Sequence, residues 1–252
     1  MKKTLVACAL LGSIAATSAH AATVVGFKVG GDYWEADTEG SFAQKGELQQ
    51  EFNYSSSSQG SVWIAIEHPI PFVPNFKIRE NRLDADGKAT LSGDWSFGGN
   101  VFNEDVTTAS NLSNTDFVLY WELLDNDIVA LDLGAAYKQM HGSFRVHDVS
   151  PSGVVGAYSQ KDLDSGVVMA YANVEVGVPG LGLYAFADVM QGIDESSVYD
   201  YQLGLGWAFD GTALDTKIRV GYRDFNFDVN DFDGVTANMQ FKGYFAGVEL
   251  VF

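Results

Sequence analysis

Ten stretches of this chain alternate apolar with polar or small residues, and the segments joining them alternate between short and long. A period of two places the two sets of side chains on opposite faces of a strand. The second half shows it most cleanly. Val168, Ala170, Ala172, Val174 and Val176 oppose Met169, Tyr171, Asn173 and Glu175, and Leu183, Ala185, Ala187 and Val189 oppose Tyr184, Phe186 and Asp188. Tyr201, Leu203, Leu205, Trp207 and Phe209 oppose Gln202, Gly204, Gly206 and Ala208. The short connections are His68 to Pro74, Asp125-Asn126-Asp127, Val178-Pro179-Gly180 and Asp210-Gly211-Thr212. The longer ones are 35–61, 84–114, 142–165, 192–197 and 227–235. Short turns at one end, longer loops at the other and an even number of strands are the pattern of bacterial outer-membrane barrels. A soluble β-sandwich has no reason to produce it, and is the alternative if the membrane reading fails. The predicted fold is all-β, a transmembrane antiparallel up-and-down barrel of ten strands. The first strand is expected to end near 34; the others fall at 62–68, 75–83, 115–124, 128–141, 166–177, 181–191, 198–209, 213–226 and 236–252. Gly46–Tyr54 and Lys88–Phe97 also look extended and are assigned to structure within the external loops, with Asp86-Gly87 as a hairpin turn. Counting both in the wall would give twelve strands, and eight would require dropping a convincing pair.

In the last strand Tyr244, Ala246, Val248, Leu250 and Phe252 oppose Phe245, Gly247 and Glu249. It is expected to pair with the first strand, where Val25, Phe27, Val29 and Tyr33 oppose Gly26, Lys28, Gly30 and Asp32; closure of this kind leaves no free edge in lipid. Tyr244, Val248, Leu250 and the terminal Phe252 are read as a C-terminal signal for the barrel-assembly machinery.

Met1-Lys2-Lys3, an apolar run from about Leu5 to Ala16, and Ser18-Ala19-His20-Ala21 make a secretory leader, with cleavage expected after Ala21. Residues 22–252 then form one barrel domain. Cys8 is the single cysteine and lies in the leader, so the exported chain is predicted to use no disulfide. No stretch approaches the roughly 18–20 apolar residues of a membrane-spanning helix. Loss of Lys2 and Lys3 takes the net charge from −18 to −20, which argues against nucleic acid. It suits the outer membrane of a Gram-negative bacterium, among lipid and lipopolysaccharide, with weak divalent-cation binding by the acidic loops; a simple solubilising surface explains the charge at least as well.

With the apolar set facing lipid, the other set faces inward. Its predicted charged members are Lys28, Lys77, Arg79, Lys138, Lys217, Arg219 and Arg223, against Glu67, Glu122, Asp132, Glu175, Asp188 and Glu249. Near-cancelling charges in a narrow barrel can pair across it, and buried charges persist only when paired. Trp63, Tyr120, Tyr184 and Phe186 add bulk, so the lumen is expected to be largely occluded. Tyr33, Trp121, Tyr137, Trp207, Phe209, Tyr222, Tyr244 and Phe252 are candidates for interfacial aromatic girdles.

No stretch carries a convincing catalytic or cofactor motif. Outside the leader the histidines are His68, His141 and His147. His68 sits beside Pro69 in a turn, where a structural role is simplest. His141 and His147 flank a loop, the latter near Asp148 and Ser150, and surface polarity explains them more simply than an active site, which geometry must define. Asp84-Ala85-Asp86-Gly87 and Asp231-Phe232-Asp233-Gly234 look like fragments of a calcium loop. Aligned on the loop glycine, however, they place Arg82 and Val229 at the first ligand position, so both are read as turns.

Glu67-His68-Pro69-Ile70-Pro71-Phe72-Val73-Pro74-Asn75 resembles the proline-rich turn of a family of small proteobacterial outer-membrane β-barrel proteins. So do Tyr120-Trp121-Glu122-Leu123-Leu124-Asp125-Asn126, Gly221-Tyr222-Arg223 and Phe241-Lys242-Gly243. The resemblance implies location and architecture, and no chemistry, because that family has no assigned activity. The leading expectation is a structural or surface-interaction role. A narrow channel for a small solute stands second, and an outer-membrane hydrolase third.

Overall fold

The computed structural model describes residues 25–252 apart from 71, 127, 150–155 and 213; the expected leader, Pro71, Asp127 and Ser150 lie outside the described residues. All regular structure among them is β. In order the strands are β1 (Gly26–Gln44), β2 (Gln50–Tyr54), β3 (Ser57–Glu67), β4 (Asn75–Arg82), β5 (Asp84–Thr90) and β6 (Trp95–Phe97). Next come β7 (Asn100–Phe102), β8 (Asp105–Asn111), β9 (Asn114–Asp125), β10 (Val129–Met140), β11 (Gly142–Asp148) and β12 (Tyr158–Leu163). The rest are β13 (Gly166–Gly177), β14 (Leu183–Gly192), β15 (Tyr199–Phe209), β16 (Asp215–Phe232) and β17 (Val235–Val251).

Ten of these close into an antiparallel barrel in the order β1-β3-β4-β9-β10-β13-β14-β15-β16-β17, with β17 pairing back onto β1 from Lys28↔Val251 to Gln44↔Val235. The predicted strand number and closure are both found. The wall is taller than expected. β4 and β9 pair as far as Asn81↔Asn114, and β5 and β8 continue the same register from Asp84↔Asn111. The β10/β11 and β13/β12 pairs do likewise across His141 and Asp164–Ser165. β2 prolongs β3 with a one-residue offset at Ser55–Ser56. These strands, with β1, β16 and β17, rise past a line of kinks into an outer lobe. β14 and β15 alone stop at it.

Three expectations about the loops are therefore corrected. The first strand runs to Gln44 because its outer half pairs with β2 and β17. Residues 227–235 are no loop: β16 continues to Phe232 and turns through Asp233-Gly234, both with positive φ (53° and 77°), as a two-residue hairpin prefers. Asp86-Gly87 lies inside β5, paired with Ala109 and Thr108 on β8. Its Asp-Gly signal is local, and the ladder on both sides overrides it. The hairpin turn of that segment is Gly98-Gly99 between β6 and β7, again with both φ positive.

Where β14 and β15 stop, the Asp233 carboxylate ties the β16–β17 turn to the kink before β13, accepting hydrogen bonds from the Asp164 and Ser165 amides and the Ser165 hydroxyl. Partial desolvation pushes its pKa up, but these donors outweigh that and hold it below the usual carboxylate range.

Polarity inverts at the kink line. Along β16 the outward residues are Ile218, Val220 and Tyr222, then Asp224, Asn226 and Asp228; the inward ones are Arg219 and Arg223, then Phe225, Phe227 and Val229. β17 repeats this in reverse, with Phe241, Met239, Ala237 and Val235 inward in the lobe and Lys242, Gln240 and Asn238 outward. The lower wall is apolar outside and charged inside, whereas the lobe has the burial pattern of a water-soluble barrel. The apolar face spans about nine residues, as from Tyr201 to Phe209, close to the length of a tilted membrane strand. Tyr33, Tyr137, Tyr222 and Tyr244 end that face just below the kinks, and Trp121, Trp207, Phe209 and Phe252 end it beside the short turns.

Candidate functional site: the barrel interior

The thirteen charged residues predicted for the interior all project there, joined by Asp32, Asp116 and Asp200. They stack in tiers. At the turn end, Lys28 Nζ lies 2.5 Å from Glu67, which also accepts from the Tyr120 hydroxyl at 2.7 Å. Across the mouth Lys217 meets Glu175 at 2.8 Å and Glu249 at 3.8 Å, while Glu122 and Asp132 complete the rim. One level up, Arg219 reaches both Asp32 oxygens at 3.1 Å, its guanidinium held between the Trp63 and Phe186 rings. Lys77 pairs with Asp188 at 3.3 Å.

The third tier crosses the barrel. Arg79 on β4 binds Asp116 on β9 and Asp200 on β15, both at 2.9 Å. Lys138 on β10 binds Asp116 at 2.7 Å and Asp200 at 3.4 Å. Arg223 on β16 grips Asp200 with two donors at 2.9 and 2.7 Å and donates to Asn81 at 2.8 Å. One carboxylate thus faces three cations from three strands. Each of these side chains is at most 2% exposed. Bidentate charge-assisted bonds of this kind offset desolvation where single contacts do not.

Asp116 and Asp200 are missing from the predicted inward set because each stands beside the start of a strand's apolar face, at Phe117 and Tyr201, where it looks like a strand-end residue. Period two does place Asp116 with Val118 and Asp200 with Gln202 on the inward set, so the signal was there. Asp32 stands on the same inward face as Lys28 in the alternation of the first strand.

Glycines make room for the bulk. Gly30, Gly206 and Gly204 sit directly opposite Trp63, Tyr184 and Phe186 in the ladder, and a Cβ on the first two would stand 2.2 Å from the facing ring. Above the ionic tier the interior turns aromatic. Arg223 lies under Trp34 and Lys138 under Phe225. Next comes the lobe core, where Phe42 contacts Phe52, Phe97 and Phe144. The β6–β7 hairpin folds into this core and is pinned by Trp95 Nε1 to Leu48 O (3.0 Å) and Gly98 N to Gln44 Oε1 (3.0 Å). Below the tiers, a polar cup of about 870 Å³ opens at the turn end. The barrel is a cup closed by a plug.

The histidines behave as structural or surface groups. His68 lies in its turn with its ring against Pro74 O (3.2 Å) and its amide on Asn75 (3.0 Å). His141 is on the outer wall at the kink line, 3.1 Å from Glu80 and 3.3 Å from Thr115. His147 faces outward against Tyr158, six residues further along the same strand line, so the two histidines share no site. Asp84 and Asp86 lie along β5, Asp231 lies near the end of β16, and Asp233 is in the β16–β17 turn.

No family model and no curated sequence matches the chain. Among solved structures it is similar to the outer membrane protease OmpT of Escherichia coli, at 12% identity, covering 89% of this chain and 97% of that one with a TM-score of 0.46. It is also similar to the transport unit of the autotransporter AIDA-I from Escherichia coli (9%, 95% and 96%, TM-score 0.40). A third is the attachment invasion locus protein Ail of Yersinia pestis (10%, 88% and 97%, TM-score 0.28).

Proposed function

We propose that the chain is an integral protein of the bacterial outer membrane whose sealed barrel holds a rigid acidic lobe above the cell surface, with a structural or surface-interaction role. The polarity inversion carries the reading. A wall that is apolar outside over about nine residues per strand and charged inside is stable in lipid, while the lobe beyond the kinks has the opposite preference. The boundary between solvents then runs along the kink line, with the short turns and their cup in the periplasm. The lobe's outward acids, such as Glu35, Asp37 and Glu39 on β1 and Asp84 and Asp86 on β5, suit contact with divalent ions that bridge to lipopolysaccharide, or with a basic external partner. The apolar face of Tyr244, Val248, Leu250 and Phe252 suits recognition by the assembly machinery.

Two experiments test this. Leu205→Arg is expected to destabilise the barrel in lipid vesicles by about 2–4 kcal/mol, since Leu205 is at mid-height on the lipid face. Asp228→Arg, outward on the lobe, is expected to change stability by less than about 0.5 kcal/mol. Equal effects in urea titrations would remove the membrane placement. The second experiment is planar-bilayer recording of the refolded protein. With the third ionic tier and the aromatic plug in place the expected trace is silent, and discrete, reproducible openings would put the narrow-channel reading ahead.

A further inference from the structure

We infer that the turn between β3 and β4 is an apolar wedge seated in the periplasmic leaflet of the membrane, with phospholipid acyl chains as its partner. This rests on the membrane placement proposed above and adds a contact that the barrel wall alone does not make.

From His68 to Phe76 the turn carries no acid, lysine or arginine, in a strongly acidic chain whose Asp125-Asn126-Asp127 and Asp210-Gly211-Thr212 turns are charged. Its large side chains point into the surroundings: Phe72 is 95% exposed, Ile70 55% and Val73 47%. Exposed apolar clusters of this kind mark interaction sites. The conformation that presents Phe72 is itself uncommon, with φ at 67°, a left-handed value that bulky residues avoid.

His68 holds the turn in that shape. Its Nδ1 accepts from the Ile70 amide (3.3 Å), which leaves Nε2 to carry the proton and donate to Pro74 O (3.2 Å). The His68 amide donates to Asn75 Oδ1. One imidazole thus bridges Ile70 and Pro74, on either side of Phe72.

The direction of the turn identifies the partner. Trp121 Nε1 donates to Phe72 O at 3.3 Å, and Trp121 belongs to the lipid face of β9, where that face ends beside the short turns. None of the turn's described residues lines the cup. The chain therefore folds outward along the wall, at the depth where interfacial tryptophans sit. There Ile70, Phe72 and Val73 extend the apolar surface of Phe76, Leu119 and Trp121.

The exported chain has no cysteine, since Cys8 lies in the expected leader, so one introduced thiol can carry an environment-sensitive fluorophore. Ile70→Cys, labelled and refolded in phospholipid vesicles, is expected to be quenched by lipids brominated high on the acyl chain. It should be shielded from iodide present on both sides of the vesicle. Adding Phe72→Asp should shift the balance from inserted to withdrawn by about tenfold or more, the weight of burying a phenylalanine side chain, and expose the label to iodide. A label at Asp210→Cys, on a charged turn, should meet iodide throughout. Leu205→Cys, at mid-height on the lipid face, checks the membrane placement separately: if lipids brominated deep in the chain leave its label unquenched, that placement fails. If they quench it while the Ile70→Cys label meets iodide, or ignores Phe72→Asp, the wedge is overturned. An Ile70→Cys label shielded from both quenchers would mean that a protein covers the turn, which also overturns the lipid assignment. Gel mobility without heating confirms folding, and Phe72→Ser replaces Phe72→Asp if that variant does not fold.

Discussion

Replacing Asp200 by alanine is expected to destabilise the barrel by about 3–5 kcal/mol, the penalty for leaving buried charges without their partner. Asp200 is the common acceptor of Arg79, Lys138 and Arg223, and its side chain is fully buried. Without it Arg223 loses both bidentate bonds, and three cations are left beside Asp116 and Asp188. Asp200→Asn keeps the shape and one acceptor but not the charge, so it should fall between. Urea titration of the vesicle-reconstituted protein, followed by tryptophan emission, reads the loss as a lowered midpoint at unchanged slope. The control is Glu39→Ala, which breaks an exposed pair with Lys242 on the lobe and is expected to cost less than about 1 kcal/mol. If Asp200→Ala shifts the midpoint no further than this control, the ionic tier is not what closes the barrel. Coupling gives a second reading: Asp200→Ala combined with Arg223→Ala should be less damaging than the sum of the two, because each alone strands the other's charge.

How much of this was legible depends on which residues repeat. Ten strands, their pairing order and the inward set followed from period two, because lipid on one face and a narrow interior on the other force each position to be one kind or the other. Lys138, Arg219 and Glu249 could be placed inside without any contact being known. The lobe was not legible as wall for the same reason inverted. Beyond Tyr33 the outward residues are Glu35, Asp37 and Glu39, and a search for outward apolar residues stops there. The strand itself continues with Trp34, Ala36 and Phe42 inward. Read with the phase kept and the polarity exchanged, residues 35–44, 84–90 and 227–232 are ordinary half-buried strands. Asp86-Gly87 failed differently. Gly87 is in β5 because a side chain there would meet the Tyr54 ring at 2.8 Å and Thr108 at 3.0 Å, a packing demand that a dipeptide cannot reveal. The partners within the ionic tiers were also beyond reach, since which cation meets Asp200 depends on the shear of the closed sheet.

Phe42→Ala is expected to cost about 3–5 kcal/mol, as for other large aromatic truncations in a packed core, but to spend that loss on the lobe alone. Phe42 stacks on Phe52 at 4.8 Å and meets Phe97 at 5.1 Å and Phe144 at 4.4 Å, so its removal opens a cavity shared by β1, β2, β6 and β11. The lower wall has no stake in that cavity. It is held by its own ladder, by the ionic tiers and by lipid, which rewards its apolar face whatever the lobe does. The hairpin of β6 and β7 rests mainly on this core and on hydrogen bonds made by Trp95, Gly98 and Asn100, so local opening should begin there. In limited proteolysis of intact vesicles the variant should be cut within 84–104 well before the wild type, while unheated gel mobility still reports a closed barrel. Protection equal to wild type would mean that the lobe is stabilised from elsewhere. Loss of the closed barrel would mean that lobe and wall fold as one unit, and that the kink line separates two solvents without separating two stabilities.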